Sequence, residues 1–219
     1  MAWFSRIFAI NKARQEVILT PEHRQIIKAW QQLPAADLDL SHRRSRYVIV
    51  DVEASGLDTN KDHLISIGAL ALVDGMIDFN DAFQVVLRQD QVSSSENILI
   101  HGIGGSTQSA GVDPVEALLS FLCYIGKSPL VAYHAFFDQA MIDKAMTEYL
   151  GIELDQTWID LAWVLPVFFQ YGTDARMELD DWLRQFEIEN ILRHNAVSDA
   201  YATAKLLQVV IAAGNKKGA

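Results

Sequence analysis

The run YVIVDV at residues 47–52 constrains the fold most. It is short, β-branched and apolar on both faces, which predicts a central strand buried from both sides. LISIGALALV follows at 64–73, then Asp74-Gly75, then a third strand-like stretch within 76–87 that ends FQVVL. Asp-Gly is a strong hairpin signal, so the three runs predict an antiparallel meander.

The second half reads differently. Asp113-Pro114-Val115-Glu116 has the pattern of a capping box with proline in the first turn, and Gly126 closes that helix. LVAY (130–133) predicts a short buried strand. The helix after it carries Met141, Ile142, Ala145, Met146 and Tyr149 and stops at Gly151. Residues 157–170 predict another apolar helix, kinked or ended by Pro166. Leu179, Trp182, Leu183 and Phe186 form an amphipathic stripe, and a last helix runs from near Ser198 to Gly214. The sum is an α/β domain over 47–213 with a short tail at 214–219.

Residues 1–46 have another texture. Trp3, Phe4, Ile7 and Phe8 recur at helical spacing. A second helix begins at Thr20-Pro21, carries Ile26, Ile27, Trp30 and Leu33, and ends at Pro34. Arg43, Arg44 and Arg46 then close a polar stretch that reads as a solvated linker. The segment is therefore expected to be a helical N-terminal arm that packs on the protein's own core, on a second copy or on a protein partner.

Charge and cysteine content narrow the function classes. Eighteen basic against 28 acidic side chains leave a net charge of −10. Bulk attraction to a phosphate backbone needs lysine and arginine, so a histone-like or architectural role is excluded. Cys123, the single cysteine, sits in the apolar run ALLSFLCYIG and is expected to be small core filler. No apolar stretch is expected to reach the ~18 residues of a membrane span, and the N-terminus lacks a signal-peptide pattern. A cytoplasmic protein is the default expectation.

Three short segments could carry chemistry. Asp51 and Glu53 lie two apart at the end of the first strand, so strand periodicity puts both carboxylates on one face, with Gly56 letting the chain turn away. A hydrated strand end would account for the pair equally. In HAFFD (134–138) the strand delivers His134, and Asp138 falls in the first turn of the next helix, where an acid also suits the helix dipole. In RHNAVSDA (193–200) His194 precedes Asp199 by five positions. Taken one by one, each has a plain structural explanation. Together they supply four carboxylates from one strand end and two helix starts, an oxygen-only set suited to Mg²⁺ or Mn²⁺, with a histidine able to act as base. Gly102, Gly104 and Gly105 form a glycine-rich loop, but no Gly-Lys-Thr/Ser follows, so it is no P-loop. Phe136 and Phe137 read as core.

DVEASGLD, HAFFD and RHNAVSDA, in this order, resemble the three motifs of the DEDD exonuclease superfamily. The His-x4-Asp spacing places the chain in its histidine branch, and the resemblance is nearest to the exonuclease domain of the bacterial DNA polymerase III epsilon subunit. It implies an RNase H-like fold, a five-stranded mixed sheet flanked by helices. It also implies a 3′→5′ exonuclease that releases 5′-mononucleotides from single-stranded DNA or short RNA. Two Mg²⁺ or Mn²⁺ ions would be held by Asp51, Glu53, Asp138 and Asp199, with His194 as general base. Ala54, Ser55, Gly56, His101, Gly102, Ile103, His134 and Phe137 would border the substrate. Ala54, Ala135 and Leu161 depart from the family's usual Thr, Asn and Thr. A catalytically weak or inactive nucleotide-binding module of the same fold is the alternative.

Overall fold

A computed structural model of the chain describes residues 18–169 and 177–217. The helix expected around Trp3, Phe4, Ile7 and Phe8 lies outside them. Three strands open the sheet: β1 (Arg46–Ala54), β2 (Leu64–Val73) and β3 (Met76–Val86). They form the antiparallel meander, with Asp74 and Gly75 both at positive φ in the turn. Two short parallel strands complete it, β4 (Leu130–Ala132) beside β1 and β5 (Trp158–Asp160) beside β4. The described residues thus form a five-stranded mixed sheet in the order β3-β2-β1-β4-β5. Helices pack on both faces of the sheet, the architecture expected of an RNase H-like fold.

Strand periodicity divides the core in two. Val48, Val50 and Val52 of β1 face one cluster, shared with α1 (Pro21–Gln31), α4 (Pro114–Ile125) and α5 (Phe136–Ala145). Tyr47 and Ile49 face the other, shared with α6 (Leu161–Phe168), α7 (Leu179–Gln185) and α8 (Ala196–Lys217). The small helices α2 (Ser95–His101) and α3 (Gly105–Ser109) lie between β3 and α4 in sequence. By parity Asp51 and Glu53 belong to the α8 face. That one fact prepares the site.

Within residues 1–46, α1 packs against α4. Ile27 and Trp30 are buried, and Trp30 Nε1–H donates to the Gly126 carbonyl at 2.7 Å, with Lys127 Nζ 3.3 Å from the centre of its ring. His23 Nε2 lies 2.8 Å from Glu116 Oε1. Arg46 is no linker residue: it opens β1, pairs with Asp81 and donates to Ser128.

Four further expectations need correction. Residues 157–170 are not one helix: β5 comes first, and Asp160 then caps α6 by accepting the Ala162 N–H at 2.9 Å. Cys123 is exposed, because Phe121, Leu122 and Ile125 take the inner face of α4 and leave it outside. Phe136 is 78% exposed at the start of α5, whereas Phe137 packs on the core. The last helix is longer than expected, and its stretch 196–215, with mean hydropathy 1.2, is long and apolar enough to cross a membrane. Asp199 and Lys205 interrupt it as a run, so a search for unbroken apolar sequence misses it. Here its apolar side chains, including Ala200, Ala204 and Leu207, lie on the sheet.

Candidate active site

Asp51 and Glu53 occupy the last turns of pleat in β1, just before the register against β2 shifts between Glu53 and Ala54. Both carboxylates project toward α8, whose first turn carries Asp199. One oxygen each from Asp51, Glu53 and Asp199 falls within 4.8 Å of the others. The fourth acid arrives from the opposite layer. Asp138, in the first turn of α5, is buried and its Oδ1 accepts the Val52 N–H at 3.0 Å. Four acids from three elements therefore meet at the end of one strand. Among the described residues no Lys, Arg or His forms an ion pair with any of them.

A glycine makes the approach of α8 possible. Gly68 of β2 pairs with Asp51 and so lies on the same face. A Cβ there would stand 2.3 Å from both the Ala196 carbonyl carbon and the Val197 nitrogen. Only a residue without a side chain lets the helix start so close to the sheet. Sequence reasoning passed over Gly68, because a glycine inside LISIGALALV carries no sign of what packs on it. It passed over Asn190 as well, whose Nδ2–H donates to Asp199 Oδ1 at 2.6 Å.

Repulsion and burial leave their mark on the carboxyls. Burial, then the charges of Asp138, Asp199 and Glu53, push Asp51 well above the usual carboxylate range. Burial and the charges of Asp199 and Asp138 raise Glu53 to about 8. Asp138 is raised to about 8, chiefly by burial and further by the charge of Asp160, against the lowering effect of its backbone hydrogen bonds. Between the ordinary carboxylate range and about 8 the folded protein holds protons that the unfolded chain has released. Stability without metal is therefore expected to fall as pH rises through that window. A divalent cation must displace those protons, so the rise in Tm on adding Mg²⁺ or Mn²⁺ should be larger at pH 8 than at pH 6. Thermal melts at both pH values check this; an equal rise would count against the acids as ligands.

The remaining candidates fall into groups. Asn97 Nδ2–H donates to the Ala54 carbonyl at 2.9 Å, tying α2 to the end of β1. Ser55 Oγ–H donates to Asp62 Oδ1 at 2.9 Å, and a Cβ at Gly56 would sit 2.4 Å from the Asp62 carboxylate, which would have to shift. Lys144 Nζ donates to the carbonyls of Thr59, Asn60 and Asp62, binding this loop to α5. His101 is buried; its Nδ1 accepts the Ile103 N–H at 3.0 Å and burial lowers its pKa. Gly102, at φ 71, ends α2 at the surface beside it. His134 is exposed at φ 59, and its N–H donates to Asp160 Oδ1 at 3.0 Å, so the cap of α6 also holds the turn into α5. His194 is exposed on the loop before α8, again with a left-handed backbone at φ 57.

The RNase_T family model, described as Exonuclease, matches residues 48–207, which contain this entire arrangement. The chain belongs to the RNase_T exonuclease family. The enzyme class expected from the motifs, a 3′→5′ exonuclease that hydrolyses phosphodiesters, is the class of this family, and its members of this kind use divalent metals. The chain is 28% identical over 172 residues to DNA polymerase III PolC-type of Bacillus subtilis, covering 78% of this chain and 12% of that protein. It is 29% identical over 169 residues to DNA polymerase III subunit epsilon of Rickettsia typhi, covering 74% of this chain and 72% of the relative. It thus spans about an eighth of the PolC-type relatives and most of an epsilon subunit. In fold it is similar to E. coli Exonuclease I, solved in complex with a dT13 oligonucleotide, at a TM-score of 0.66 and 16% identity over 79% of this chain and 42% of that one.

Proposed function

We propose that this member of the family removes nucleotides from the 3′ end of single-stranded DNA or short RNA and releases 5′-mononucleotides, using Mg²⁺ or Mn²⁺. The observation that carries the reading is the cluster of Asp51, Glu53 and Asp199 oxygens within 4.8 Å, with which no cationic side chain pairs among the described residues. Like charges at such separation repel strongly, and an oxygen-only donor set fits hard divalent ions better than zinc. Asp51, Glu53 and Asp199 would hold one ion, and Asp138 would join Asp51 at a second.

Bound divalent ions supply positive charge for the scissile phosphate and for the attacking and leaving oxygens. The residues of the chain do the rest. The four acids fix where that charge sits, and β1, α5 and α8 keep them rigid. His194 takes the proton from the attacking water as the new P–O bond forms. The bond from phosphorus to the 3′ oxygen of the preceding nucleotide breaks, and that oxygen leaves with a proton from solvent. The end of β1 and the turn at Gly102 and Ile103 border the terminal nucleotide.

Incubating the full chain with end-labelled single-stranded DNA and RNA in Mn²⁺ tests the reading. Stepwise 3′-end shortening is expected; no shortening of either, with tight nucleoside monophosphate binding, would instead mark a non-catalytic module. His194→Ala should retain Mn²⁺ affinity while the rate falls about 10²–10⁴-fold. An unchanged rate in that variant removes His194 from the base role.

A further inference from the structure

The hydrogen bonds around Asp199 run well beyond the acids themselves. Asn190 Nδ2–H donates to Asp199 Oδ1 at 2.6 Å, and Asn190 Oδ1 accepts the Ser198 hydroxyl at 3.0 Å. Ser198 Oγ in turn accepts the Leu192 N–H at 3.0 Å. The Ser198 N–H donates to Asn195 Oδ1 at 3.2 Å, and the Asp199 N–H to the Asn195 carbonyl at 2.9 Å. Residues 190–199 thus close on themselves around the segment that carries His194. Arg193 pairs with Asp180 of α7 and anchors the same loop from outside. His194 itself keeps φ 57, a conformation that a non-glycine residue holds only where its surroundings over-determine it.

We propose that Asn190 is a positioning residue that holds Asp199 and the His194 loop in one register, with Ser198 anchoring the far end of the Asn190 amide. An ionised carboxylate only accepts, so the amide must present its NH2 group. Reversed, its oxygen would meet a carboxylate oxygen with no proton between them. The acceptor-only Asp199 carboxylate therefore sets the direction of the amide, and the Ser198 hydroxyl holds its other end. The hydroxyl oxygen accepts the Leu192 N–H while its proton goes to Asn190 Oδ1, so one chain of bonds runs from the loop backbone to Asp199. A neutral amide suits the place for a further reason. Lysine or arginine here would neutralise Asp199 and compete with a cation, whereas asparagine orients the carboxylate and leaves its charge available. Outer partners of this kind tune the ligands they touch.

The inference rests on reading Asp199 as a metal ligand and His194 as the base. The test uses the full chain and the Asn190→Ala, Ser198→Ala, Ser198→Thr and Asn190→Ala/Ser198→Ala variants. Mn²⁺ affinity is read by calorimetry without substrate, and 3′-end shortening of a labelled oligonucleotide is followed separately. Asn190→Ala and Ser198→Ala are each expected to weaken Mn²⁺ binding or the rate by about 10–100-fold while melting cooperatively. The double variant should be no worse than the worse single one, because both break one chain of bonds. Ser198→Thr, which keeps the hydroxyl, should return to within a few-fold of the parent. If Asn190→Ala does not fold, Ser198→Ala and its threonine rescue decide the matter. Single variants within twofold of the parent in both readouts, strictly additive losses, or a threonine variant as poor as the alanine one would overturn the proposal. A parent that binds Mn²⁺ but shortens no substrate would sink the proposed activity alone, and the affinity series would still judge Asn190.

Discussion

Asp51→Asn is expected to reduce 3′-end shortening to the level seen without divalent metal, and at the same time to raise the Tm of the metal-free protein. Asparagine has nearly the volume of aspartate, so packing at the end of β1 survives. The negative charge does not. Asp51 is the acid on which the others converge: Asp138, Asp199 and Glu53 all raise its pKa, after burial. Asparagine carries no charge to be repelled and takes up no proton in order to be buried, so stability should rise as function is lost, a trade common where a site is built for a ligand. The rise in Tm on adding Mn²⁺ should shrink in the same variant. Oligonucleotide assays and paired melts with and without Mn²⁺ measure all three effects. Retention of substantial activity by Asp51→Asn would remove Asp51 from the metal site and with it the reading of the whole cluster.

The second large effect is expected from a residue with no chemistry. Gly68→Ala places a methyl group 2.3 Å from the backbone of Ala196 and Val197. Neither atom is the end of a flexible side chain, so the start of α8 must retreat by roughly 1 Å to reach ordinary contact. Asp199 travels with it. Overpacking of this kind costs about 1–3 kcal/mol, and misplacement of a reacting group by about 1 Å can cost about 10²-fold in rate. The variant should therefore lose Tm, Mn²⁺ affinity and turnover together. Gly104→Ala serves as the control for stability, since a Cβ there meets nothing within 4 Å and its φ is −62°. Parent-like activity in Gly68→Ala would mean that α8 tolerates displacement and that the close approach has no part in the site.

Legibility in the sequence followed the range of the signal. The meander was readable because β-branched runs, an Asp-Gly turn and alternation are local properties. The strand β5 was not. In WIDLAWVLPVF nothing apolar ends where the strand ends, and three residues are too few to show a period. The boundary lies at Asp160, whose side chain both caps α6 and holds the His134 N–H. That second bond links positions 26 apart, beyond any local pattern. Cys123 and Phe136 were misjudged for the converse reason. Composition says that such residues prefer the interior, but the face a helix turns outward depends on its neighbours.

The sequence by itself determined the ingredients: four acids in order, their placement at a strand end and two helix starts, a histidine five positions before the last acid, and a net charge that rules out bulk grip on nucleic acid. These follow from residue type and spacing. Only the tertiary structure decided that the acids meet. β1 pleats Asp51 and Glu53 toward α8, Gly68 lets that helix close in, and α5 brings Asp138 from the other layer. Spacing along a chain specifies which face a side chain takes. How near two faces come is set by the volume between them, and here that volume is a missing side chain.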